Sequence, residues 1–200
     1  PSTVRELSMP MRLEARTSCE EPLSVRLKAG QEEAADELVV LYADRLLRAA
    51  TLILGDASLA EDAVQETLLS VVTRIDQFRG ESALYSWMYT ILIRHCRHYQ
   101  RHRRKTQSSS SLLPPEDFSH IPDPEPPIED AWERCQEGRR VSRAVEGLPP
   151  RYREVIVMFY YEEFSIPEIS DMTGKPVGTI KSLLHRGRRK LAETLGGEEL

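Results

Sequence analysis

The twelve residues from Arg94 to Lys105 (RHCRHYQRHRRK) hold six cations, three histidines and no acid. A second cationic run lies near the end of the chain, where Lys181, Arg186, Arg188, Arg189 and Lys190 fall between Gly178 and Leu191, again without an acid. Clustered Lys and Arg neutralise nucleic-acid phosphates and release counterions, which supplies most of the affinity for a polyanion, whereas contacts to base edges supply specificity. The second run has residues for both. Lys175, Thr179, Lys181, Ser182 and Arg186 stand at or near the N-terminal half of a helical pattern, the part that reaches bases, and Arg188 to Lys190 suit phosphates. In the first run Tyr85, Trp87, Tyr89 and Tyr99 interleave with Arg94, Arg97, Arg101, Arg103 and Arg104. That mixture of stacking surfaces and cations suits single-stranded bases. Trp87 also falls on an apolar stripe, where core packing competes with stacking.

A third grouping is acidic. Asp62, Gln65 and Glu66 recur at i, i+3 and i+4 opposite Val64 and Leu68, and read either as a solvated face or as a docking surface for a basic helical partner. His95, His98 and His102 share one helical face, but neighbouring arginines would repel a metal cation and no carboxylate stands nearby in sequence to orient the rings. Glycine-rich phosphate loops and the G-x-S-x-G and H-E-x-x-H patterns are missing, so no catalytic residue, metal or cofactor is expected. Cys19, Cys96 and Cys135 are odd in number and widely spaced, and read as reduced thiols.

The elements that must position these residues are helical. From Gln31 to Leu54 the apolar positions Ala34, Leu38, Leu41, Tyr42, Leu46, Ala49 and Ile53 recur at spacings of three and four, ending near Gly55. Ser58 with Glu61 three residues on predicts the start of a second helix, whose stripe of Val64, Leu68, Val71, Val72 and Ile75 runs toward a stop at Gly80. A third, opening at Glu81 or Ser82, turns Leu84, Trp87, Met88, Ile91 and Leu92 inward and carries on to Lys105. No alternating run predicts a strand. Further on, helices are expected over Ile128 to Glu146 and Arg151 to Glu163. Ser165 and Glu168 predict a capping box around Pro167, and the short helix it opens stops at Gly174. A final helix follows from Val177 to Leu195, with Ile180, Leu184 and Leu191 as its seam. Helix, short turn, helix is the helix-turn-helix layout. Leu183, four residues after Thr179 and three before Arg186, is expected on the DNA-facing side, with the domain core as the alternative.

The net charge of −5 argues against nucleic acid only as an average. Residues 94–105 sum to +6 and residues 106–130 to −6, a reversal that marks a boundary. The acidic side holds six prolines and a run of four serines, a composition unable to bury enough apolar surface to offset chain entropy. The expected architecture is therefore all-α: two small helical domains, 23–105 and 131–200, joined by a flexible acidic linker at 106–130, with an extension at 1–22. No stretch approaches the roughly 20 apolar residues of a membrane span, and no signal-peptide core stands near the start. A cytoplasmic location is expected.

Taken together these residues resemble the extracytoplasmic-function group of bacterial sigma factors, the initiation subunits of RNA polymerase. LSVRLKAGQEEAADELVVLY is similar to that family's opening helix, and AEDAVQETLLSVV to the helix that docks on the clamp helices of the polymerase largest subunit. ESALYSWMYTILIRHCRHYQRHRRK resembles the segment that melts and reads the −10 element, and GLPPRYREVIVMFYYEEFSIPEISDMTGKPVGTIKSLLHRGRRKL the −35-reading domain. The resemblance implies polymerase docking by Asp62, Gln65 and Glu66 and −10 contacts by Tyr89, Arg94, His95, Arg97, His98 and Arg101. It implies −35 contacts by Lys175, Val177, Thr179, Lys181, Ser182 and Arg186. Core RNA polymerase, promoter DNA and an anti-sigma factor are the implied partners, and the linker would thread toward the polymerase cleft. The chain departs from the family at His95, where Asn is usual, at His98, often Asp, at Leu183, usually Arg, and at Gly187, usually Ala. A stand-alone helix-turn-helix regulator, its first domain serving dimerisation or ligand binding, is the alternative.

Overall fold

The structure, a computed structural model, describes residues 22–109, 138 and 140–196, and every regular element among them is helical. A short helix α1, Leu23–Lys28, precedes the first expected one and buries Leu27; Gly30 turns the chain with φ 72°. Helix α2, Glu32–Leu54, ends on Gly55 in the left-handed region, whose N–H donates to the Thr51 carbonyl. Helix α3 spans Ala57–Arg74. Its N-cap is Asp56, not the expected Ser58: extended backbone at Asp56 lays the carboxylate over the first turn, where Oδ1 accepts from the Leu59 N–H at 3.1 Å. A 3₁₀ turn, Ile75–Gln77, ends the segment before Gly80.

Helix α4, Leu84–Ser109, opens two residues after Ser82 and continues four residues past the expected boundary at 105, because no proline or glycine interrupts 106–109. The rest of the expected linker, residues 1–21 of the expected extension, and residues 128–137 and 139 of the helix expected over 128–146 lie outside the described residues. Leu38, Leu46, Ile53, Val71, Met88, Leu92 and Ile93 fill the core between α2, α3 and α4. Ala49, Ala50, Ala60 and Ala63, all buried, bring α2 and α3 close together. Leu41 and Val72, expected on the inward stripes, are exposed instead at 37% and 43%, since each lies at the edge of an arc that its neighbours already fill.

The second half holds α5 over 140–146, α6 at Pro150–Ile156, α7 at Ile166–Thr173 and α8 at Val177–Leu195. Helix α6 widens into one π turn, Val157–Tyr161, closed by the Glu162 N–H donating to the Val157 carbonyl at 3.1 Å. The capping box at Ser165 and Glu168 forms as expected, and Gly174 adopts φ 67° in the turn before α8. The two halves pack on each other. Helices α2 and α4 lie against α6, the π turn and α7, and the buried residues of both halves form one continuous cluster.

Candidate nucleic-acid interface

On α8, Ile180, Leu184 and Leu191 face inward, while Val177, Thr179, Lys181, Ser182, Arg186, Arg188 and Lys190 are exposed. The 3.6-residue period thus leaves an uninterrupted polar and cationic face. Among the described residues, its far end carries an ion pair within the helix, Arg189 to Glu193 at 3.5 Å. Leu183 does not join that face. It is half-buried and packs against the core, so the reading that it meets DNA is corrected: its position sits beside the seam residue Leu184. Gly187 is also buried. A Cβ there would lie 3.0 Å from Ile156 Cγ1, so glycine permits the close approach of α8 to α6.

The basic end of α4 divides between two environments. Arg94, His98 and Arg101 are exposed, and the rings of His98 and His102 lie 4.5 Å apart. His95 turns toward α3, with Nδ1 2.8 Å from Glu66 Oε2, and Tyr99 donates to Glu66 Oε1 at 3.0 Å. Glu66 of α3 is therefore tied to two residues of the basic end of α4. Trp87 is half-buried against Phe78, ring centroids 5.5 Å apart, which favours packing over stacking on bases. Tyr89, expected to contact bases, is fully buried in this conformation. Tyr85, Tyr89, Leu92 and Cys96 form an inward seam at spacings of four, three and four, a signal the interleaved aromatic reading passed over. Burial pushes the Cys96 thiol up to about 12, with Glu154 adding to it, and keeps it inert.

Arg97 is drawn between the halves. Its Nε and Nη2 donate to Glu154 Oε2 and Oε1 at 2.9 and 2.7 Å, and Lys175 Nζ donates to the same Oε1 at 3.0 Å. Arg97 Nη1 reaches the Thr173 carbonyl at 3.4 Å. The Glu154 side chain is 6% exposed. Burial alone would raise its carboxyl, but hydrogen bonds and charge from Arg97, then Lys175, outweigh that and hold it below its ordinary value. A second carboxylate, Glu162, accepts from Arg45 Nε at 2.9 Å and from the Tyr85 hydroxyl at 2.8 Å. There burial dominates and the carboxyl is pushed up. Nothing in local sequence announces either acid, because their partners lie 57 and 117 residues away.

Asp62, Gln65 and Glu66 share the outer face of α3 with Leu69 and Val72, at successive helical spacings. Leu69 is 67% exposed, a position missed by a reading that followed only the inward stripe. An acidic and amide patch continued by bare aliphatic side chains is the composition of a docking stripe.

Residues 38–106 match Sigma-70 region 2, and residues 138–191 match Sigma-70, region 4. The ECF RNA polymerase sigma factor SigM of Mycobacterium tuberculosis is 31% identical over 168 residues, which cover 84% of this chain and 80% of that protein. The chain belongs to the ECF sigma factors. Promoter recognition and transcription initiation by RNA polymerase are the work of that family. This sigma factor is also 30% identical over 160 residues to SigE of Mycolicibacterium smegmatis, covering 80% of its own length and 61% of SigE. Its fold is similar to that of the sigma factor RpoE of Bartonella quintana, solved with the anti-sigma factor NepR. That likeness has a TM-score of 0.64 at 27% identity and covers 80% of this chain and 95% of RpoE. No described helix of this sigma factor is long and apolar enough to cross a membrane.

Proposed function

We propose that this sigma factor acts in the cytoplasm, brings core RNA polymerase to promoters and assists strand opening, with no catalytic chemistry of its own. The observation that carries the reading is the exposed face of α8. Thr179, Lys181, Ser182 and Arg186 stand free beside a buried seam, as a helix seated in the major groove of a −35 element requires. Val177 and Lys175 flank its start. Arg94, His98 and Arg101, exposed on α4, would follow the displaced strand at the −10 element, with His95 and Arg97 beside them. The stripe of Asp62, Gln65, Glu66 and Leu69 would meet the clamp helices of the polymerase largest subunit. Residues 23–105 and 131–200 are then the −10 and −35 units, and 106–130 their connection. RpoE, whose fold this chain shares, is held by an anti-sigma factor, and a similar inhibitor is the proposed regulatory partner.

Addition of the chain to core polymerase on a library of promoter templates tests the reading. Promoter-specific transcripts that depend on the chain are expected. DNA binding without such transcripts would support a stand-alone helix-turn-helix regulator instead.

A further inference from the structure

We infer that Glu66 and His95 are positioning residues for the −10 segment: together they fix the Tyr99 ring, and Tyr99, not His95, meets an unpaired promoter base. The inference rests on the reading of α4 as that segment. His95 and Tyr99 stand one turn apart on α4, and Glu66 and Ser70 one turn apart on α3. Glu66 Oε1 accepts from the Tyr99 hydroxyl at 3.0 Å, and Oε2 lies 2.8 Å from His95 Nδ1. Ser70 Oγ lies 3.4 Å from His95 Nε2. The two helices therefore match turn for turn, with a carboxylate and a hydroxyl of α3 set against two rings of α4.

This arrangement leaves His95 no nitrogen for a base. Side chains read base edges through hydrogen-bond donors and acceptors, and an imidazole has two such atoms. An ionised carboxylate only accepts, so Nδ1 carries the proton that faces Glu66, and in the neutral ring Nε2 accepts from the Ser70 hydroxyl. The His95 side chain is 25% exposed, and both of its polar atoms face α3. Glu66 likewise has both oxygens engaged with α4, which leaves the outward part of the α3 stripe to Asp62, Gln65 and Leu69.

Tyr99 is held from two sides. Its hydroxyl is tied to Glu66, and its ring stands edge-to-face on His98, with centroids 5.9 Å apart and planes at 80°. Burial, then the hydrogen bond and charge of Glu66, push the phenol up to about 12, so the hydroxyl stays a donor at neutral pH. The half-buried ring adjoins the row of exposed Arg94, His98 and Arg101. Bases stack on aromatic rings beside cations, and a ring already fixed loses little rotamer freedom on contact.

The test uses the full chain with core polymerase, at concentrations that saturate docking. It reads strand opening by permanganate reactivity, the ranking of templates randomised across the −10 element, and helical content by circular dichroism. Tyr99→Ala should slow opening about tenfold, the effect of one lost stacked base. If loss of the tie leaves the ring in place about one part in ten, Glu66→Ala and His95→Ala should each slow opening about tenfold, with no further loss when combined. His95→Asn, whose amide nitrogen takes the place of Nδ1, should recover most of the His95→Ala loss, and neither His95 variant should change the ranking. Tyr99→Phe keeps the ring and removes only the tie, so it carries the test where an alanine variant loses helical content, and it should slow opening as far as Glu66→Ala does. An altered ranking in either His95 variant would assign base reading to His95 and overturn the inference. Additive losses at Glu66 and His95, or normal opening with Tyr99→Ala or Tyr99→Phe, would overturn it as well. Failure of the sigma reading has a separate signature, the lack of promoter-specific transcripts from the wild-type chain.

Discussion

Gly187→Ala probes the seat of the final helix, because two opposing terms meet at one atom. Alanine in place of glycine inside a helix is favourable by about 1 kcal/mol through backbone entropy. The new Cβ, however, would lie 3.0 Å from Ile156 Cγ1, 3.2 Å from Cδ1 and 3.5 Å from Tyr152 Cβ. Ile156 is fully buried and cannot swing away freely, so overpacking of about 1–3 kcal/mol is expected. The net effect is a loss of about 0–2 kcal/mol. In an Ile156→Ala background, itself about 2–5 kcal/mol less stable, the obstructing atoms are gone and the same substitution should gain about 1 kcal/mol. The coupling between the two sites is then about 1–3 kcal/mol, measurable in a double-mutant cycle from urea midpoints followed by helical circular dichroism. If Gly187→Ala stabilises the wild-type chain by about 1 kcal/mol and the cycle is additive within about 0.5 kcal/mol, α8 does not rest on α6 as described.

Leu183→Arg should lower the melting temperature without steepening the dependence of DNA affinity on salt, because Leu183 packs against the core; a slope steeper by about 0.9 at unchanged stability would return it to the DNA face. Replacing Asp62 and Leu69 together by lysine should abolish co-purification with core polymerase at unchanged helical content, and retained co-purification would remove the α3 stripe as the docking surface. The two buried acids predict opposite responses to pH. The Glu154 carboxyl is depressed in the folded chain, so its contribution to stability is present above the ordinary carboxylate value and is lost as pH falls through the depressed one. The Glu162 carboxyl is raised, so its ionised form lowers stability at neutral pH and that penalty lifts as pH falls through the raised value. Melting temperatures measured from about pH 7 to about pH 4 should therefore fall less for Glu154→Gln than for the wild type and more for Glu162→Gln. Parallel profiles for all three proteins would contradict the assignment.

Helix periods, the capping box at Ser165 and Glu168 and the turn at Gly174 were legible in the sequence because each depends on residues within one or two turns of one another. The exposed cationic face of α8 was legible for the same reason: a seam at Ile180, Leu184 and Leu191 fixes which residues point outward whatever the helix packs against. The same reasoning failed at the edges of stripes. Leu41, Val72 and Leu183 each sit where one helical step decides between core and surface, and the neighbouring helix makes that decision. Gly187 looked like a helix weakened without compensation until Ile156 on α6 occupied the space of its missing side chain. What tertiary structure alone decided is the meeting of the two halves. Arg97 and Lys175 are 78 residues apart in sequence and belong to different predicted domains, and their shared hold on Glu154 follows from the docking of α4 on α6 and α7. A charge pattern along the chain identifies donors for a polyanion, but which anion they meet first depends on how the fold places a carboxylate among them.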